Sequence, residues 1–164
     1  MTREAEFEAV VSARTPALAR TAYLLTGDPH LAEDLVQAAL LKAAEHWDRI
    51  HTSAEAYVRR SMYHHQVSRW RRLRGVREHD LAGYDAAARS PDSDVVLSVR
   101  DALATLTTKQ RTVLVLRFFE DLTEQQTAEV LSITRGTVKS TTRQALDRLR
   151  RTAPHLAELV EDPS

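Results

Sequence analysis

The sequence predicts an all-α protein of two small helical domains joined by a flexible linker, the second a four-helix domain with a helix-turn-helix. Three observations carry this. Apolar residues recur at helical spacing on both sides of residues 75–94, and no stretch shows the period-two alternation of a strand. Residues 75–94, GVREHDLAGYDAAARSPDSD, are polar, rich in small residues and aperiodic, as linkers are. A chain of 164 residues has room for one compact domain or two small ones, and this interruption favours two. The expected division is 1–74, linker 75–94, 95–154 and a tail over 155–164.

A first helix is expected from about Arg3 to Leu25, with Phe7, Val10, Val11, Leu18 and Leu25 apolar and Thr26-Gly27-Asp28 as its stop. Pro16 kinks it or delays its regular start. Asp28 as N-cap and Pro29 at the first helical position open a second helix, with Leu31, Leu35, Ala38, Leu41 and Ala44 inward and Glu33 and Asp34 exposed. Trp47 reads as core. Thr52 and Glu55 form a T-x-x-E box that starts a third helix, with Val58, Met62, Trp70 and Leu73 inward.

After the linker, helical pattern resumes at Val95, and Thr107 or Thr108 caps a helix whose Val113, Leu114, Leu116, Phe118 and Phe119 supply a second core. Thr123 and Gln126 make a capping box for the next helix, and Thr134 starts a longer one. In that last helix Val138, Thr142, Ala145 and Leu149 share one face, leaving Arg135, Lys139 and Arg143 on another. Ala128 is small where the two helices should cross, and Ser132 falls in the turn between them, as a helix-turn-helix requires. Between Ser132 and Arg151 six Lys or Arg stand against Asp147 alone. A helix of this kind suits a major groove, reading base edges near its N-terminus and phosphates along its flanks. An ordinary helical hairpin with a solvated basic face is the alternative that this stretch alone leaves open.

Composition narrows the function. The absence of Cys excludes disulfides and thiolate metal sites, and a reducing cytoplasm is compatible with it. No apolar run approaches the ~18 residues of a membrane span, and the N-terminus is acidic and amphipathic where a signal peptide would be basic and then apolar. A soluble cytoplasmic protein is expected. Net charge is zero but blocky: residues 56–77 carry seven Arg and no acid, while residues 1–55 and 78–108 are acidic. Overall neutrality is therefore no argument against nucleic acid. No glycine-rich phosphate loop, H-E-x-x-H or Cys nucleophile is present, and the adjacent pair His64-His65 points to different helix faces, so neither an enzyme nor a metal or other cofactor is expected.

The order LAEDLVQAALLKA, AYVRRSMYHHQVSRWRRLR, linker, and LTTKQRTVLVLRFFEDLTEQQTAEVLSITRGTVKSTTRQALDRLR resembles the extracytoplasmic-function sigma factors of bacterial RNA polymerase, over about residues 5–152, and within them the SigE-like branch of actinobacteria. The resemblance implies a transcription initiation factor that binds core polymerase through the clamp coiled coil of its largest subunit and the flap. It implies contact with melted minus-ten DNA through the first domain and double-stranded minus-thirty-five DNA through the second, and an anti-sigma protein as a further partner. Carried over, Glu33, Asp34, Leu35 and Gln37 fall in the polymerase-docking helix, where carboxylates flanking an apolar residue suit a surface of arginines and an apolar pocket. Arg59, Arg60, Arg69, Arg71, Arg72 and Arg74 would hold the phosphate backbone, and Tyr63 or Trp70 would stack an unpaired base. In the second domain the DNA-contacting set is Thr123, Arg135, Gly136, Thr137, Lys139, Ser140 and Arg143.

Two positions depart from the family. His64 stands where a base-receiving Asn is usual; an imidazole lacks the amide's bidentate edge but has an unperturbed pKa near 6.5, inside the physiological range. Thr141 follows the TVKS run where many relatives have Arg, which implies one missing contact. The rival reading is a dimeric helix-turn-helix regulator that is not a polymerase subunit, and binding to core polymerase discriminates the two.

Overall fold

The computed structural model describes residues 2–51, 53–76 and 99–157, with the side chains of residues 73–76 left aside. Contacts divide the chain into two compact units, Met1–Arg69 and Trp70–Ser164. All regular structure among the described residues is helical. None of the helices there is long and apolar enough to cross a membrane.

The first unit is built on α1 (Arg3–Thr26), α2 (Pro29–Glu45), a 3₁₀ turn (Trp47–Arg49) and α3 (Ala54–Val76), which runs on past the division. Its helix ends follow local chemistry. Thr2 caps α1 by accepting from the N–H of Ala5, and Gly27 ends it in the left-handed region at φ 68°, where only a residue without Cβ is unstrained. Pro16 leaves α1 unbroken; the Thr15 hydroxyl donates to the carbonyl of Val11 beside the site where the proline withholds an N–H. Asp28 caps α2, its Oδ1 accepting from the N–H of His30 at 2.8 Å and of Leu31 at 3.0 Å. The Leu31 N–H is the largest cause that holds this carboxyl below its usual range. Ser53 caps α3 through Oγ to the N–H of Ala56, at 3.3 Å; Thr52, expected in that role, lies outside the described residues.

The core of this unit gathers Leu18, Ala22 and Leu25 of α1, Ala32, Leu35, Val36, Ala39 and Ala43 of α2, and Val58, Met62, Tyr63 and Val67 of α3. Phe7 and Trp47 meet edge to face at 5.1 Å, which sets Trp47 against α1, but the residue expected in the core is half-buried. Leu41 and Ala44, expected inward, face solvent instead. The inward stripe of α2 lies roughly a third of a turn away, along Ala32, Val36, Ala39 and Ala43.

The second unit contains α4 (Val99–Ala104), α5 (Thr108–Leu114) continuing into a π turn (Val115–Phe119), α6 (Glu124–Leu131), α7 (Arg135–Thr152) and a single turn α8 (Pro154–Ala157). Thr107 and Gln110 form a reciprocal capping box for α5. Val113, Leu114, Val115 and Leu116 are fully buried, whereas Phe119, expected in the core, is exposed because the π turn advances the backbone and swings it outward. The expected helix start at Val95 and most of the expected linker, from residue 77 on, lie outside the described residues. Gly75 and Val76 still belong to α3.

Candidate nucleic-acid interface

The helix-turn-helix is made of α6, a tight turn and α7. Thr123 caps α6 by accepting from the N–H of Gln126 at 3.0 Å, while Gln126 Oε1 accepts from the N–H of Thr123 at 2.9 Å. The turn is a Schellman motif: Ile133 N–H donates to Ala128 O at 3.0 Å, and Ser132 N–H to Glu129 O at 3.3 Å. Ser132 holds the left-handed conformation this requires, at φ 53°. Thr134 then caps α7 by accepting from the N–H of Thr137 at 3.1 Å. These three caps fix where α7 begins, and so which side chains its first turn presents.

Val138, Thr142, Ala145, Leu146 and Leu149 bury one face of α7. Arg135, Gly136, Lys139, Ser140 and Arg143 are exposed on the other, Thr137 is half-buried, and Thr123 is exposed at the edge. A Cβ on Gly136 would meet only the Thr134 hydroxyl, at 3.9 Å, so packing within the chain does not demand glycine here. Its bare backbone leaves the outer surface of the first turn open to close approach. Thr141 is 3 % exposed and belongs to the core, so its being Thr removes no contact from the outer face; the expectation of a missing contact is corrected.

One acid sits among these cations. Glu124, the first residue of α6, is 21 % exposed and accepts through Oε2 from Arg135 Nε at 3.1 Å, with Lys139 Nζ 3.9 Å away. On its other side Arg117 Nη2 lies 4.0 Å from Oε1, and Arg117 Nη1 donates to Leu122 O at 2.8 Å. These residues line a groove together with Thr123, Gln125, Arg143, Leu146 and Arg150. Sequence reasoning passed over Glu124 and Arg117. The only local signal was an acid in the first turn of a helix, which has a dipole explanation of its own.

Along α3 the structure sorts the expected residues into three groups. Arg60, His64, Arg71 and Arg72 are exposed, while Arg69 and Trp70 are half-buried; the side chain of Arg74 lies outside the described residues. Arg59 faces inward, its Nη1 donating to Thr21 Oγ1 at 3.0 Å and its Nη2 pairing with Glu55 at 3.1 Å, so it ties α3 to α1. Tyr63 is 5 % exposed, so it offers no face for a base. That expectation is corrected: position 63 lies beside the inward stripe Val58, Met62, Gln66 and Val67. Gln66, which sequence reasoning also missed, donates to Leu25 O at 3.1 Å inside this core.

His64 lies within a helix and not in a loop. Desolvation, followed by the charges of Arg60 and Lys42, lowers its pKa from 6.5. These effects favour the neutral ring over the cation, and an anion close by would act in the opposite direction.

On α2, Glu33, Asp34 and Gln37 are exposed as expected, with Gln37 Nε2 donating to Glu33 Oε1 at 3.3 Å. Leu35 is corrected: it is 3 % exposed and belongs to the core. The apolar residue that this surface does present is Leu41, 63 % exposed. Asp34, Gln37 and Leu41 are spaced three and four apart, so they share one helix face.

Two families of known proteins match separate stretches of the chain. The Sigma-70 region 2 family matches residues 10–76, and Sigma-70, region 4 matches residues 102–151. The RNA polymerase sigma-E factor of Streptomyces coelicolor is 39% identical over 152 residues, covering 88% of this chain and 84% of that protein. The ECF RNA polymerase sigma factor SigL of Mycobacterium tuberculosis is 32% identical over 148 residues, covering 84% and 82%. The co-crystal structure of the sigma factor RpoE with the anti-sigma factor NepR from Bartonella quintana shares the fold, with a TM-score of 0.62 at 23% identity, covering 96% of this chain and 99% of that one.

Proposed function

The chain belongs to the sigma-70 family as an extracytoplasmic-function sigma factor of bacterial RNA polymerase, and from that premise we propose how its two units divide promoter recognition. The protein directs transcription initiation with core polymerase at promoter DNA. In our reading, residues 95–154 take the minus-thirty-five element in duplex form, with α7 in the major groove. Residues 1–74 dock on the clamp coiled coil through the outer face of α2 and take the melted minus-ten strand along α3, and residues 75–94 tether the two.

The observation that carries this reading is the two-faced α7: Val138, Ala145 and Leu149 are locked in a core while Arg135, Lys139 and Arg143 stand exposed on the same helix. A helix so held projects cations at fixed spacing, which suits phosphates and base edges. On α3, Arg60, Arg71 and Arg72 are the exposed cations for a melted strand, and Trp70 remains the ring for stacking once Tyr63 is assigned to the core. On α2, Leu41 takes over the apolar role expected of Leu35. The chain supplies recognition and melting, and the phosphodiester chemistry belongs to the core enzyme. Action in the cytoplasm and an anti-sigma partner complete the reading, the Bartonella neighbour having been solved with such a partner.

In vitro transcription with core polymerase on a library of genomic promoters tests the whole. Transcripts that start at discrete sites and require this protein are expected; the same transcripts from core polymerase alone would sink the reading. A narrower test concerns Arg143, which is exposed and for which the described residues provide no ion pair. Arg143→Ala should reduce the slope of log affinity against log salt for the upstream duplex by about 0.9, the signature of one lost phosphate contact. An unchanged slope would move Arg143 off the DNA.

A further inference from the structure

Resting on the reading that α7 enters the major groove, we propose that Glu124 is a positioning residue that fixes Arg135 to read a guanine in the upstream element. Arg135 is the first residue of α7, at the end of a recognition helix from which side chains reach base edges. Its Nε donates to Glu124 Oε2 at 3.1 Å. Among the described residues no partner is found for its two terminal nitrogens, and the side chain is 61 % exposed. A guanidinium held by Nε keeps its terminal nitrogens as a pair of parallel donors, which match the adjacent O6 and N7 acceptors of guanine. No other base offers two acceptors side by side in the major groove.

Glu124 is itself held in place. It opens α6 behind a complete capping box and faces Arg117, a side chain only 13 % exposed whose Nη1 is anchored on Leu122 O at 2.8 Å. Arg117, Glu124 and Arg135 thus form a line from the interior to the surface. A carboxylate in this place argues against a pure phosphate site, since it repels phosphates and partly neutralises Arg135 and Lys139. Behind a base-reading arginine the same acid is useful, because it removes rotamer freedom that binding would otherwise have to restrict. Gly136, next along the helix, leaves room for the base edge to approach.

The test uses holoenzyme assembled from the full chain and core polymerase, selecting from duplexes with a randomised upstream element. Wild type should prefer guanine at one position by roughly tenfold to a hundredfold. Arg135→Ala and Glu124→Ala should both lose that preference while keeping preferences elsewhere in the element. Glu124→Gln, which still offers an oxygen to Nε, should retain most of it, and thermal melting should show all three folded. Preference unchanged in Glu124→Ala would overturn the proposal. So would Ala and Gln variants that both bind every sequence more tightly with a steeper salt slope, because Glu124 would then only damp charge. A wild type with no base preference anywhere in the upstream element would instead remove the reading of α7 itself, and this inference with it.

Discussion

Asp34→Arg is expected to abolish capture of core polymerase while leaving the upstream-element affinity of the same protein unchanged. The side chain is exposed in mid-helix on α2, so the substitution costs little folding energy. At an interface, reversing one charge places like charges together at a cost of several kcal/mol, a loss of a hundredfold or more in affinity. Leu41→Arg should act in the same direction, since an exposed leucine seven residues on from Asp34 and four from Gln37, on the same helix face, has no packing role to lose. Leu35→Ala separates the two kinds of effect: at 3 % exposure it should lower thermal stability, by about 2–5 kcal/mol, and spare affinity in the folded fraction. Pull-down titrations with core polymerase decide the matter. Wild-type affinity in both Asp34→Arg and Leu41→Arg would take α2 out of the docking role.

The contrast between Leu35 and Leu41 shows what could be read from the chain and what could not. Helix starts were legible because a cap is a contact within three residues: Asp28 with His30 and Leu31, Thr107 with Gln110, Thr123 with Gln126 and Thr134 with Thr137 all form as the residue types dictate. The face of α7 was legible for a related reason, since its apolar and basic residues alternate at a clean helical period. The α2 sequence is different. Ala and Leu occupy most of its circumference, so several stripes satisfy the period equally and only packing against α1 and α3 selects Ala32, Val36, Ala39 and Ala43.

Contacts across the turn were beyond sequence reading for another reason. Glu124 and Arg135 are 11 residues apart, and their meeting depends on the Schellman geometry at Ser132, which sets the angle between α6 and α7. The burial of Tyr63 likewise follows from three helices closing together. Among neighbours as polar as Arg59, Arg60, His64 and His65 its ring looks like a surface feature. Phe119 was misplaced because a π turn shifts the helical phase by one residue, and local sequence does not announce one.

Val138→Asp is expected to unfold the second unit and eliminate upstream-element binding while the first unit still reaches core polymerase, with reduced affinity. Val138 is wholly buried, and Thr142 on the next turn donates its hydroxyl to the Val138 carbonyl at 2.8 Å. An aspartate there loses the valine's transfer energy of about 1.5–3 kcal/mol and adds several kcal/mol for an unpaired buried carboxylate. A unit of about 60 residues has only about 3–9 kcal/mol of stability to lose. The substitution therefore removes nearly all of it. Val138→Ala provides the graded comparison: a small cavity costing about 2 kcal/mol should lower the melting temperature of this unit by roughly 10 °C and leave binding intact in the cold. Circular dichroism, duplex binding and polymerase pull-down on the full chain read all three consequences. Wild-type duplex binding by Val138→Asp would mean that α7 does not pack on this face. Complete loss of polymerase capture would mean that the two units do not fold independently, since Asp34 and Leu41 lie in the unit that the substitution does not touch.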